Sequence, residues 1–211
     1  MELTKNKLAK YFDHTFLKAY ATDNDLRNLC EEAKSIGAAM VAINTEWVTF
    51  CKKELDGTDI HVGAAIGFPL GQRPLETKLF ETEDAIKKGA DEIDYVINIS
   101  KAKMGDWDFI KKEMEAIVEI CRKNNKISKV IFENCYLEKD EIKKLAEIAK
   151  EVKPDFIKTS TGFGTGGATI EDVKLMIDTV DGEVSVKAAG GIRDYETAKK
   201  MIDLGNVQRR S

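Results

Sequence analysis

Histidine is nearly absent from this chain, with two residues, His14 and His61, in 211. A metal centre built on several histidines is therefore excluded, and both are expected to be hydrogen-bonded core or rim residues. Cysteine is scarce too. Cys30, Cys51, Cys121 and Cys135 are scattered without a Cys-x-x-Cys pair, so neither a disulfide framework nor a zinc site is expected, and the usage fits a reducing cytoplasm. No apolar run approaches the ~18 residues of a membrane span, and the first residues lack the apolar core of a signal peptide. No basic block stands out. The net charge of −4, with both signs interspersed, argues against nucleic acid or an anionic membrane as partner. No metal and no cofactor are expected, which leaves the chemistry to side chains. There is also no Pro/Ser-rich linker and no break in composition, so the expectation is one domain over 1–211, long enough to bury a proper core.

What is present is a repeated pattern of apolar strand followed by amphipathic helix. Residues 38–43 form a continuous apolar run, as a strand buried on both faces requires. Strands are expected at 12–16, 38–43, 61–68, 92–98 and 129–134, and around Lys158 and Lys187. Between them the helical period places helices near 23–36, 46–55, 76–88, 107–123, 139–152, 170–179 and 195–204, with glycines such as Gly37, Gly57 and Gly89 as stops. Seven such units, about 25 to 35 residues apart, indicate an α/β fold with a parallel sheet and right-handed crossovers. Their regularity fits a (β/α)8 TIM-type barrel better than a doubly wound sheet. A typical barrel has about 250 residues, and after Gly205 only Asn-Val-Gln-Arg-Arg-Ser211 remains. The expectation is therefore a barrel truncated before or within strand 8.

Two segments break the apolar pattern in the same way. Phe156-Ile-Lys-Thr-Ser160 and Val184-Ser-Val-Lys-Ala188 are short apolar strands, each carrying a lysine and each running into glycines. Strand alternation turns Ser185, Lys187 and Ala189 inward. On the fourth strand it sends the bulky set Ile93, Tyr95 and Ile97 out to the helices and Asp94 into the barrel. In such barrels the active site lies at the carboxyl ends of the strands. One acid and two lysines inside would be costly as mere structure. A free lysine is neutral in only about one molecule in 2,500 at pH 7. A second ammonium ~4 Å away disfavours charge on one of the pair by roughly 4 kcal/mol at an effective dielectric near 20, about three pKa units. A neutral amine can attack a carbonyl and form a Schiff base, and Asp94 is the candidate to move protons at the neighbouring carbon.

Plainer readings compete with each of these. Lys158 could be a snorkelling or paired structural lysine, Lys187 an ion-pair partner of Asp94, and Asp94 a buried hydrogen-bonded strand residue. The glycines at 162, 164, 166 and 167, and Gly190-Gly191, could be plain loops and turns. Both loops nevertheless precede helix N-termini, where free N–H groups and the helix dipole favour a phosphate. The Gly-Lys-Ser/Thr ending of a nucleotide P-loop is missing.

Several stretches together resemble one class I aldolase family, the deoxyribose-phosphate aldolases. They are Asp13-His-Thr15, Ile66-Gly-Phe-Pro-Leu-Gly71, Gly89-Ala-Asp-Glu-Ile-Asp94, Glu133-Asn-Cys-Tyr-Leu137, Ile157-Lys-Thr-Ser-Thr-Gly-Phe-Gly-Thr-Gly-Gly-Ala-Thr169 and Val186-Lys-Ala-Ala-Gly-Gly-Ile-Arg193. The last two in combination are highly specific. The resemblance implies a (β/α)8 barrel that reversibly cleaves 2-deoxy-D-ribose 5-phosphate to D-glyceraldehyde 3-phosphate and acetaldehyde. By it, Lys158 is the Schiff-base lysine, Lys187 the lysine that tunes it, and Asp94 part of the proton relay. Gly162, Gly190 and Gly191 match backbone contacts to the phosphate, with Thr159, Thr161 and Ile192 as further substrate- or phosphate-binding positions. It implies small phosphorylated sugars and aldehydes as ligands and a homo-oligomer, dimer or tetramer. Family members differ in continuing past Gly205 with an apolar strand and a Gly/Ser loop, and often have proline where Tyr20 and Thr45 stand here. Two alternatives follow. One is a Schiff-base aldolase for another phosphorylated sugar. The other is an impaired or non-catalytic sugar-phosphate-binding barrel.

Overall fold

An apolar run with no polar face must be covered on both sides, and the fold does this by curling its strands around an interior and ringing them with helices. The computed structural model describes residues 4–205. Its strands are β1 (Asp13–Phe16), β2 (Met40–Asn44), β3 (His61–Ile66), β4 (Glu92–Val96), β5 (Ile127–Ile131), β6 (Phe156–Lys158) and β7 (Ser185–Lys187). All neighbours pair parallel, in the order β1 to β7. The helices are α1 (Lys5–Ala9), α2 (Asp23–Ile36), α3 (Val48–Glu54), α4 (Leu75–Lys87), α5 (Ile99–Lys103), α6 (Trp107–Lys123), α7 (Lys139–Val152), α8 (Ile170–Val180) and α9 (Tyr195–Asp203).

Local chemistry sets the boundaries. Thr22 and Asp25 form a reciprocal capping box that opens α2, and Gly37, at φ 68°, closes it in a left-handed turn. Thr169 and Asp194 cap α8 and α9 with their side chains. The fifth strand, expected at 129–134, is shifted to Ile127–Ile131 because Glu133 adopts left-handed backbone, φ 59°. The short α5 and the 3-10 turns Thr45–Trp47 and Asn134–Tyr136 are too brief to leave a period in the sequence.

The alternation in β4 is as expected. Ile93, Tyr95 and Ile97 are fully buried in one apolar cluster with Ile110, Met114 and Ile117 of α6. Each of the aliphatic side chains contributes about 1.5–3 kcal/mol by leaving water. Among the described residues β1 and β7 are the sheet's edges, yet they approach each other. The Lys187 ammonium donates to the Tyr11 carbonyl at 2.9 Å and lies 3.1 Å from the Asp13 carboxylate. Seven parallel strands thus curl into a part-closed barrel. The expected loss of strand 8 falls on residues 206–211, which lie outside the described residues.

One charged pair sits outside the barrel, between α4 and α6. Lys78 Nζ is 2.7 Å from Glu113 Oε1, and neither side chain is exposed. Lys78 also donates to the Val96 carbonyl at 2.7 Å, and Glu113 accepts the Asn98 N–H at 2.9 Å. The pair therefore ties two helices to the exit of β4. Burial lowers the Lys78 pKa and raises that of Glu113, against the pull of each on the other. Removing one partner strands the other charge. Glu113→Leu is expected to cost about 3–5 kcal/mol in denaturant unfolding, and Lys78→Met with Glu113→Leu to recover part of that. A single variant as stable as the parent would show that the pair is not what holds this corner.

Candidate active site

Alternation along five strands brings an ionic cluster into the barrel. Lys158 and Lys187 are direct register partners at the ends of β6 and β7. Their ammonium groups are not left facing each other alone. Lys158 Nζ lies 2.7 Å from Asp94 Oδ2, and Lys187 lies 3.1 Å from Asp13 Oδ1. Between the two carboxylates stands Lys129 of β5, fully buried. It is 3.2 Å from Asp94 Oδ1, 3.3 Å from Asp13 Oδ2 and 2.5 Å from Glu92 Oε2. Met40 Sδ, at 3.2 Å, and the Phe156 ring, 5.9 Å from Nζ, complete its surroundings. Gly63 makes room for this arrangement, since a Cβ there would sit 2.3 Å from Met40 Sδ.

The electrostatics follow from burial opposed by pairing. Burial pushes the Asp94 carboxyl up, but Lys129 and Lys158 outweigh it and leave the group below its usual range. Asp13 is also held below its usual range, since Lys129, Lys187 and Lys158 together overcome its burial. Lys129 is raised, because Asp13 and Asp94 more than offset its desolvation. Lys187 goes the other way. Burial, helped by the Lys129 and Lys158 charges, lowers it to about 8 in spite of Asp13. The lysine whose charge is destabilised is therefore Lys187.

The loops leaving β5, β6 and β7 are pinned to one another. Thr159 donates its hydroxyl to the Ala189 carbonyl at 3.0 Å and accepts the Ala189 N–H at 3.1 Å. Thr161 donates its N–H to Glu133 at 3.1 Å and its hydroxyl to the same carboxylate. Gly167 packs on Gly190 so closely that a Cβ would lie 2.4 Å from the Gly190 carbonyl oxygen. The Ala168 N–H donates to that carbonyl at 3.0 Å. Gly162, Gly190 and Gly191 all have positive φ, 86°, 80° and 77°, where only glycine is unstrained. A cavity of about 220 Å3 opens between β7, β1 and α9. Lys158, Lys187, Gly190 and Ile192 line it, with Asp13 and Met201.

The structure thus brings Lys158, Lys187, Gly190 and Ile192 to one cavity and sets Asp94 against Lys158. Thr159 and Thr161 have their hydroxyls committed to neighbouring loops, and Gly162 and Gly191 stand on the loops without lining the cavity. Lys187 pairs with Asp13 rather than with Asp94. Both histidines are hydrogen-bonded, His14 to Glu32 and His61 to Glu92, each at 2.8 Å. Sequence reasoning missed Lys129, Glu92 and Asp13 as members of the cluster. The signal for two of them was available, because Glu92 lies two residues before Asp94 on the same inward face, and Lys129 alternates with the apolar Val130. Among the described residues no group of three or more His, Cys, Asp or Glu side chains is disposed to hold a metal ion.

A parallel β/α barrel with lysines at the carboxyl ends of its strands is an enzyme architecture, and comparison with known proteins gives its kind. A sequence model of the DeoC/LacD family aldolases matches residues 7–206. The deoxyribose-phosphate aldolase of Lactobacillus acidophilus is 59% identical over 205 residues, covering 97% of this chain and 86% of that protein. That of Bacteroides thetaiotaomicron is 52% identical, covering 96% and 85%. Among solved structures, the tetrameric deoxyribose phosphate aldolase from Aeropyrum pernix superposes with a TM-score of 0.89 at 29% identity, covering 97% of this chain and 86% of that one. An aldolase designated QR15 does so with a TM-score of 0.89 at 36% identity, covering 95% and 89%. This chain belongs to the DeoC/LacD aldolase family, and as an aldolase it is a lyase.

The cluster predicts how Lys187 responds to its partner. Asp13 is the group that holds its proton on, so Asp13→Asn should move the Lys187 titration below about 8. Competitive acylation across pH, read by peptide mass mapping, measures that midpoint. An unchanged or higher midpoint would contradict the assignment of Asp13 as its counter-ion.

Proposed function

We propose that this chain reversibly cleaves 2-deoxy-D-ribose 5-phosphate to D-glyceraldehyde 3-phosphate and acetaldehyde through a Schiff base on Lys158. The observation that carries the reading is the Lys158–Asp94 contact of 2.7 Å at the wall of a cavity that also reaches Lys187 and Gly190. Lys158, as the free amine, attacks the C1 aldehyde of the open sugar, and loss of water gives an iminium. A base takes the C3 hydroxyl proton, the C2–C3 bond breaks, and its electron pair flows into the iminium to give an enamine. D-glyceraldehyde 3-phosphate leaves. Protonation of the enamine at C2 and hydrolysis release acetaldehyde and restore the lysine. Asp94, ionised and in contact with the reacting nitrogen, is the group placed to move these protons. Gly162, Gly190 and Gly191, with Thr159, Thr161 and Ile192 around them, form the proposed seat of the phosphate, which helix N-termini favour.

The names of the close relatives support this substrate, and they give no support to a non-catalytic barrel. The tetrameric neighbour supports a homo-oligomer, dimer or tetramer. The four cysteines are free thiols, which fits a reducing, cytoplasmic setting. One observation favours a second assignment within the same chemistry: burial lowers Lys187 to about 8, which eases release of its proton near neutral pH.

Turnover of 2-deoxyribose 5-phosphate separates the readings. Lys158→Ala is expected to lose activity by roughly 10³-fold or more. With Lys187 acting as an ammonium, kcat should fall as pH rises through about 8, since that is where the charge is lost. A rate that instead climbs through the same pH, with Lys158→Ala still active, would transfer the nucleophile to Lys187. No turnover by the parent would overturn the substrate.

A further inference from the structure

The ionic cluster does not end at the reacting lysines. It continues down the barrel axis to the amino-terminal floor, where His61 opens β3 and Glu92 opens β4. His61 Nδ1 lies 2.8 Å from Glu92 Oε1, and Glu92 Oε2 lies 2.5 Å from Lys129 Nζ. Lys129 in turn reaches Asp94 Oδ1 at 3.2 Å and Asp13 Oδ2 at 3.3 Å. Each of those carboxylates holds one of the two cavity lysines with its other oxygen. The chain therefore has a continuous polar contact from the floor to both lysines. Glu92 and Lys129 are completely covered along this path, while the His61 ring is 36% exposed. Every step is within ion-pair distance, and the path meets the cavity only at its upper end, where Asp13, Lys158 and Lys187 line it.

We propose that Glu92, anchored by His61, is a positioning residue for the aldol reaction: it fixes Lys129 between Asp94 and Asp13 and so sets the geometry of Lys158 and Lys187 from the far end of the barrel. The physical case is that Lys129 is fully covered and takes its position from three carboxylates, of which Glu92 is the nearest. Without Glu92 the ammonium is free to move toward Asp94 and Asp13, competing with Lys158 and Lys187 for their oxygens. Among the described residues, the charges facing this axis include Asp13 on β1, His61 on β3, Glu92 and Asp94 on β4, Lys129 on β5, Lys158 on β6 and Lys187 on β7. Asp59, on the loop into β3, also acts on His61. The proposal rests on the aldolase reading for its kinetic consequence but not for its electrostatic one.

Two readouts on the full chain test it. Competitive labelling with trace acetic anhydride across pH gives the Lys187 midpoint without any turnover, and steady-state kinetics on 2-deoxyribose 5-phosphate gives kcat and KM. Glu92→Gln removes one negative charge from the interior, so the Lys187 midpoint should fall by about half a unit or more. It should also lower kcat roughly tenfold, with KM changed less than about twofold. His61→Gln, which can still hydrogen-bond Glu92, should stay near the parent, while His61→Leu shows a smaller loss of kcat. Should Glu92→Gln fail to fold, the comparison of His61→Leu with His61→Gln decides by the same readouts. Folded Glu92→Gln and His61→Leu proteins with the parent's midpoint and kcat would overturn the proposal. A parent inactive on this substrate would sink the aldolase reading, and the labelling result alone would then decide this one.

Discussion

The buried ammonium of Lys129 is the constraint on which the interior depends. A charge with no access to water is tolerated only when paired and hydrogen-bonded, and here Asp13, Glu92 and Asp94 do the pairing. Those three carboxylates exceed what one lysine balances. Lys158 and Lys187 supply the other two lysines, so that three carboxylates face three amines in the interior. The two lysines that face the cavity are thus held by carboxylates whose own positions are set by Lys129. Replacing any one member changes the electrostatics of the others, which is why the cluster has to be read as one unit.

The mouth of the barrel is built to keep that unit in place. Glu133, on left-handed backbone, receives Thr161 from the next loop, Thr159 brackets Ala189 from the one after, and Gly167 lies against Gly190 with no room for a side chain. These ties join the exits of β5, β6 and β7, the strands that carry Lys129, Lys158 and Lys187. A site that must present an amine to a carbonyl carbon gains from such rigidity, because reaction depends on holding the two groups within bonding reach. The same ties leave the Gly-rich backbone open at Gly162 and Gly191, where added side chains would meet nothing but would be strained by positive φ.

Much of this was legible in the sequence. Periodicity marked all seven strands, and alternation on β4 separated Asp94 from Ile93 and Tyr95. The parallel between the Lys158 and Lys187 segments pointed to a shared site, and the two are register neighbours. What alternation could not give is which charges on different strands meet. Lys129 and Asp13 are 116 residues apart, and their contact exists only because the sheet curls. It also could not give the sign of each shift, which depends on the balance of burial against partners. For Lys187 burial wins, and for Lys129 the carboxylates do. The exit of β5 was misplaced because a left-handed Glu133 carries no signature of its own.

The central claim is that this ionic cluster serves covalent chemistry at one lysine. Borohydride reduction in the presence of acetaldehyde, followed by peptide mass mapping, tests it most directly, because it converts a transient imine into a permanent two-carbon mark. The account predicts that mark on Lys158, with none on the fully buried Lys129. No mark on any lysine of the cluster, or marks spread over surface lysines alone, would contradict it.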